Sequence, residues 1–201
     1  MSIQTAEDLF IEELRDIYSA EKQALRAYPR LAKRVESDEL KQAMQTHLEQ
    51  TKEQVNRLDR VFEILEKRSS GKTCEGMRGL LEEAGQHVEE IEQGPVMDAA
   101  LIGALQRVEH YEIAAYGTVA TLAEAMGQDE IKELLGETLE EEKETDELLT
   151  GVAQNVNTQA LEEGDASEDE DSEEESMKEA PSKPKKPRKQ VGNTRRGRRA
   201  A

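Results

Sequence analysis

The chain has little with which to build a disulfide framework, a membrane span or an aromatic-rich second core. Its 201 residues include one cysteine, no tryptophan, 3% aromatic side chains and five prolines. The single thiol, Cys74, has no partner within the chain, which excludes an intramolecular disulfide and fits a cytoplasmic protein. No run of about 18 apolar residues occurs, so no membrane span is expected. Glu7, Asp8, Glu12 and Glu13 interrupt the N-terminus, so a secretory leader is not expected either. Few aromatics beside 36% charged residues leave material for one sizeable packed domain, with the remainder expected to stay unfolded.

The net charge of −18 is unevenly distributed. Residues 158–201 hold 11 acids and 10 bases, so a charge of −17 falls on the rest of the chain. A body this acidic repels nucleic acid and anionic membrane and attracts cations, although a solvated acidic surface accounts for most of such a charge.

What the chain does have is apolar spacing of three and four. Phe10, Leu14, Ile17, Ala24, Tyr28, Leu31 and Val35 form a helical seam with Glu21 in its middle. Leu101, Leu105, Val108, Ala115, Val119, Leu122 and Met126 form another around Glu112. An offset of 91 residues superposes the two seams and also relates the next pair, Leu40 to Leu65 and Ile131 to Val156. In that second pair the polar breaks are His47, Thr51 and Gln54 in one seam and Thr138, Glu142 and Thr145 in the other. The pattern predicts an all-α, ferritin-like four-helix bundle: a duplicated helical hairpin whose interruptions meet at one level. Met77, Leu80, Leu81, Ala84, Val88 and Ile91 add an extra helix in the crossover between the halves.

Local signals place the boundaries. Thr5 to Asp8 is a capping box, so the first helix should run from about residue 5 to Val35, with a kink or the local loss of one hydrogen bond at Pro29. Ser37 and Asp38 open a second helix running to about Lys67. Gly94 and Pro95 precede a third that stops at Gly127, and a fourth should end between Asn155 and Asn157. Residues 1–157 are thus read as the bundle. Residues 158–201 are read as a disordered tail, acidic and then basic, because runs of like charge with proline and glycine do not collapse.

Inward acids from separate helices describe a di-metal carboxylate site, because a buried carboxylate needs a cation, a proton or donors to offset its desolvation. Glu21, Glu112 and Glu142 are the leading ligand candidates, or else acids paired with a base or tyrosine. Glu109 lies one turn before Glu112, and Asp146 one turn after Glu142. The second helix is the poorest quarter, offering His47 and Gln54, and no Glu-x-x-His motif occurs in the chain. His110 is read as a neighbour of the site or a surface residue, and His87 has no assigned role.

Separated motifs carry a resemblance: Y-S-A-E-K-Q (18–23), H-L-E-Q-T-K-E-Q (47–54), D-A-A-L-I (98–102), V-E-H-Y-E-I-A-A-Y-G-T (108–118), L-A-E (122–124) and E-T-L-E-E-E-K-E-T-D (137–146). Over residues 5–157 the chain resembles the YciE/YciF family of bacterial ferritin-like proteins. The resemblance implies a four-helix fold with a rubrerythrin-like di-metal position, homodimers and a link to stress responses. It supports Glu21, Glu109, Glu112, Glu142 and Asp146 as the site.

Two functions follow. One is a centre holding two ions of iron or manganese, about 3.5–4 Å apart, that reacts with peroxide or oxygen, with Tyr18, Tyr111 and Tyr116 as neighbouring hydrogen-bond donors. The other is a non-enzymatic stress protein whose bases between residues 178 and 199 bind nucleic acid, or a protein partner, through a basic tail.

Overall fold

Four of the five helices begin where a side chain or a proline deals with the free amides. Thr5 accepts from the Asp8 amide at 3.0 Å while Asp8 accepts from the Thr5 amide at 3.1 Å, the expected capping box. Ser37 accepts from the Leu40 amide, the Cys74 thiol from the Met77 amide, and Pro95, which has no amide to satisfy, opens the helix after Gly94. A computed structural model describes residues 3–69 and 72–178, with side chains through residue 163. Its elements are α1 (Ala6–Leu31), a 3-10 turn (Ala32–Arg34), α2 (Asp38–Ile64), α3 (Glu75–Glu90), α4 (Pro95–Ala125) and α5 (Asp129–Lys178). No strand occurs among the described residues.

Cross-helix hydrogen bonds establish the packing of the unit Met1–Gly164. Tyr28 to Glu109 and Tyr116 to Glu21 join α1 to α4; His47 to Thr145 and Arg57 to Glu141 join α2 to α5. In each case a later residue on one helix meets an earlier one on the other, so these neighbours are antiparallel. The long connection containing α3 lets α4 start at the same end of the bundle as α2, the one-crossover topology of ferritin-like folds. The crossover helix packs against α1 and α4.

The core comes in two apolar parts. One gathers Phe10, Leu14, Ile17, Leu58, Val119 and Ile131; the other gathers Leu31, Leu40, Met44, Leu101, Leu105 and Leu149. Buried polar side chains interrupt the seams of all four bundle helices.

Three boundaries differ from expectation. Helix α1 ends at Leu31 rather than Val35: two residues past Pro29, which lacks an amide donor, the chain tightens into the 3-10 turn. Helix α2 stops at Ile64 rather than Lys67. Helix α5 does not end at residues 155–157 but continues to Lys178. Apolar periodicity fades there, yet only Gly164 among residues 158–178 disfavours a helix strongly and that stretch holds no proline. Of the second unit, Asp165–Ala201, only the helical backbone through Lys178 is described; the basic segment from residue 179 on lies outside the described residues.

Candidate metal centre

A carboxylate inside a helical seam loses its water, and four do so here. Glu21 on α1, Glu109 and Glu112 on α4, and Glu142 on α5 are all buried. His47 on α2 joins them: one ligand atom from each of His47, Glu109, Glu112 and Glu142 lies within 4.8 Å of the others. A cavity of about 10 Å³ adjoins His47 and Glu109.

The histidine is prepared as a neutral donor. Burial pushes its pKa down to about 4, so its approach to Glu109, at 3.3 Å from Nε2, is not an ion pair near neutrality. The Thr145 hydroxyl donates to the Glu141 carbonyl at 3.0 Å, and its oxygen lies 3.1 Å from His47 Nδ1. With its one proton committed, Thr145 accepts from Nδ1–H, which leaves the Nε2 lone pair facing Glu109 and Glu142. A ring nitrogen oriented this way can serve as a metal ligand.

The acids show the cost of their burial. Glu21, Glu109 and Glu112 have pKa values pushed well above the usual carboxyl range, first by burial and then by one another and Glu142. Glu142 is raised to about 7, mainly by burial, with the neighbouring Glu109 acting in the opposite direction. Glu21 Oε2, Glu109 Oε2, Glu112 Oε1 and both oxygens of Glu142 are buried without a hydrogen-bond partner. Such a donor set suits a divalent cation with affinity for oxygen and nitrogen.

Two tyrosines share the layer. Tyr116 donates to Glu21 Oε1 at 2.5 Å, and Tyr28, which sequence spacing offered only as a core residue, donates to Glu109 Oε1 at 3.4 Å. Tyr18 and Tyr111 lie elsewhere. Tyr18 packs edge-on against Phe62, whereas Tyr111 donates to Asp16 at 2.7 Å and lies 2.9 Å from the Cys74 sulfur.

His47, Glu109, Glu112 and Glu142 therefore come together in one group, while Glu21 is buried outside it, held by Tyr116 and with its proton affinity raised by Glu142. Gln54 is wholly buried and donates to Glu141 at 3.1 Å. Asp146 is not brought into the group: it accepts from Gln106 at 3.2 Å and sits 3.3 Å from His110, whose side chain is largely exposed. Arg57 and Glu141, absent from the sequence-based set, form a fork-to-fork ion pair beside Gln54. No local motif announces that pair, because it exists only once α2 and α5 are packed.

Residues 5–162 match the family described as a domain of unknown function, DUF892. The chain belongs to the DUF892 family. Protein YciF of Escherichia coli (strain K12) is 50% identical to this DUF892 chain over 162 residues, 80% of this chain and 98% of that protein. The crystal structure of the E. coli stress protein YciF aligns with a TM-score of 0.75 and 49% identity, covering 78% of this chain and 99% of that one. YcfI from Rhodopseudomonas palustris aligns at 0.72 with 43% identity, covering 74% of this chain and 95% of that one. A protein from Xanthomonas campestris pv. campestris, 22% identical with a TM-score of 0.64 and covering 80% of this chain and 99% of that one, shares the fold. No described helix is long and apolar enough to cross a membrane.

Proposed function

We propose that this DUF892 protein binds two redox-active divalent ions, iron or manganese, in its buried polar layer and reacts there with peroxide or oxygen as part of a stress response. The observation that carries the reading is the set of partnerless buried oxygens on Glu21, Glu109, Glu112 and Glu142. Four carboxylates within a helical core are tolerable only with protons or cations among them. Kinship with a relative described as a stress protein supports the physiological setting.

His47 Nε2 and the carboxylates of Glu109, Glu112, Glu142 and Glu21 would hold the metal. Once bound, such an ion supplies one-electron chemistry toward a small oxidant. The protein's own groups do the rest. Thr145 fixes the His47 ring, Tyr116 pins one oxygen of Glu21 and leaves the other free, and the Tyr28 hydroxyl holds a proton beside Glu109. Apolar layers above and below exclude bulk water, so the site admits only small reactants.

Metal analysis of protein purified without chelator tests the reading, with Glu112→Gln as the comparison. Bound metal in the native chain, greatly reduced in the variant, together with peroxide consumption that follows metal content, is the expected result. Metal well below one ion per chain in both proteins rejects it. A second reading concerns the basic segment: ten bases from residue 178 onward supply a phosphate-binding region that the acidic body lacks.

A further inference from the structure

Gln54 is the one buried amide side chain in the polar layer, and its orientation can be derived. Arg57 holds Glu141 by both arms of its guanidinium, NH1 to Oε2 at 2.7 Å and NH2 to Oε1 at 2.6 Å. The same guanidinium donates from NH1 to Thr138 Oγ1 at 3.2 Å and approaches Glu137 from Nε at 3.3 Å, so three residues of α5 fix it in place. Arginine stays charged, and a carboxylate so paired is an acceptor only. The Gln54 atom 3.1 Å from Glu141 Oε2 must therefore be the NH₂ group. The other end of the amide, Oε1, is left buried and without a donor. Gln54 is also among the neighbours that lower the proton affinity of Glu142, which puts its amide beside the carboxylates of the layer.

Resting on the metal reading above, we propose that Gln54 coordinates a bound ion through Oε1, and that Arg57 and Glu141 are positioning residues whose ion pair holds the amide with its oxygen free. Neither Arg57 nor Glu141 need touch the ion. Their effect is to commit the Gln54 NH₂ group outward, as a hydrogen-bonded carboxylate orients a metal-binding imidazole. The α2 helix thus contributes nitrogen at His47 and a neutral, hard oxygen at Gln54, giving its two ends of the layer different ligand character.

Titration with cobalt(II), followed by its visible absorption, tests this on the full chain. Gln54→Leu removes the oxygen. Glu141→Gln retains the shape of its side chain but can donate as well as accept, so it no longer dictates how the Gln54 amide lies. Each substitution should weaken cobalt binding about tenfold or more and change the absorption bands in the same way. The double variant should lose no more than Gln54→Leu alone, because both changes act through one oxygen. Arg57→Gln, which frees Glu141 to take up a proton, should reproduce the Glu141→Gln result and serves if that variant fails to fold. Glu130→Gln, in the exposed ion pair with Arg60, should leave binding unchanged.

Wild-type affinity and bands in a folded Glu141→Gln or Arg57→Gln variant, or losses that add in the double variant, would overturn the positioning role while leaving the metal reading intact. Failure of the native chain and Glu112→Gln alike to bind cobalt would overturn the metal reading and this proposal with it.

Discussion

Glu142 is the residue at which the pH behaviour of the site can be worked out. Its carboxyl titrates at about 7 in the folded chain against an ordinary value of 4.5. Between those values the folded state keeps a proton that the unfolded state releases, so this contribution to stability is complete below 4.5 and is lost as pH rises through 7. The full effect is about 3 kcal/mol. His47 acts in the opposite direction, because its value falls from 6.5 to about 4: it gives stability above 6.5 that is lost as pH falls through 4. The two oppose each other at mildly acidic pH. Above 6.5 the histidine no longer contributes a slope, while Glu21, Glu109 and Glu112, all shifted upward, add to the carboxyl effect. Metal-free protein should therefore melt at progressively lower temperature from pH 6.5 to about pH 8, less steeply in Glu142→Gln. With manganese present the fall should vanish, since the ligands are then deprotonated in the folded state too. A flat melting profile in chelator would contradict the assignment. Tyr116 provides a second test at this scale. Its hydrogen bond lowers the proton affinity of Glu21, so Tyr116→Phe should weaken metal binding about tenfold while leaving the helical circular dichroism spectrum unchanged.

Helix ends and the joints between elements carry their own costs. Helices α2 and α4 both finish with the chain turning into the left-handed region, and in both the second amide past the cap bonds back to a carbonyl of the last turn: Lys67 to Phe62 at 3.0 Å and Gln128 to Ala123 at 2.9 Å. At α4 the left-handed residue is Gly127, at φ 68°; at α2 it is Glu66, at φ 53°. Glycine adopts that conformation without a Cβ clash, so Glu66→Gly should raise stability by about 0.5–1 kcal/mol, read from denaturant midpoints at unchanged slope. A destabilised variant would show that the entropy of an added glycine outweighs the relieved strain. Asp98 joins three elements. From the first turn of α4 it accepts from the Glu36 amide at 2.9 Å and the Ser37 amide at 2.6 Å, holding the α1–α2 connection against the bundle. Asp98→Ala should cost about 1–3 kcal/mol, measured by the same unfolding experiment. The helices themselves were legible because Leu, Ile, Val and Met at three- and four-residue spacing register the burial that packing demands. The end of α5 was not, since glutamate sustains a helix with no apolar face to mark it. Asp98 escaped notice as a joint because its partners, Glu36 and Ser37, come from a remote turn.

Across the whole molecule, the division of the core into two apolar parts makes the polar layer readable from a single chain. Glu21, Glu112 and Glu142 each interrupt a long apolar seam, and such interruptions are too costly to be scattered at random. The same logic misplaced Asp146. One helical turn beyond Glu142 rotates a side chain by roughly 40°, enough to carry it toward Gln106 and His110 on the flank. His47 owes its orientation to Thr145 on α5, and Arg57 meets Glu141 only where α2 packs on α5, contacts that local spacing does not record. Charge is divided on this scale too, with −17 on residues 1–157 and ten bases gathered from Lys178 to Arg199. Phosphate backbones bind clustered bases by releasing counterions, whereas a strongly acidic body repels them. The expected outcome is that the full chain retards double-stranded DNA at low salt and loses it steeply as salt rises, without sequence preference. A chain ending at residue 177 should not bind at any salt while keeping the melting temperature and metal content of the bundle. Equal DNA binding by the two chains would move the contact onto the acidic body, where counterion release gives no reason for it, and would remove the basic segment from the function.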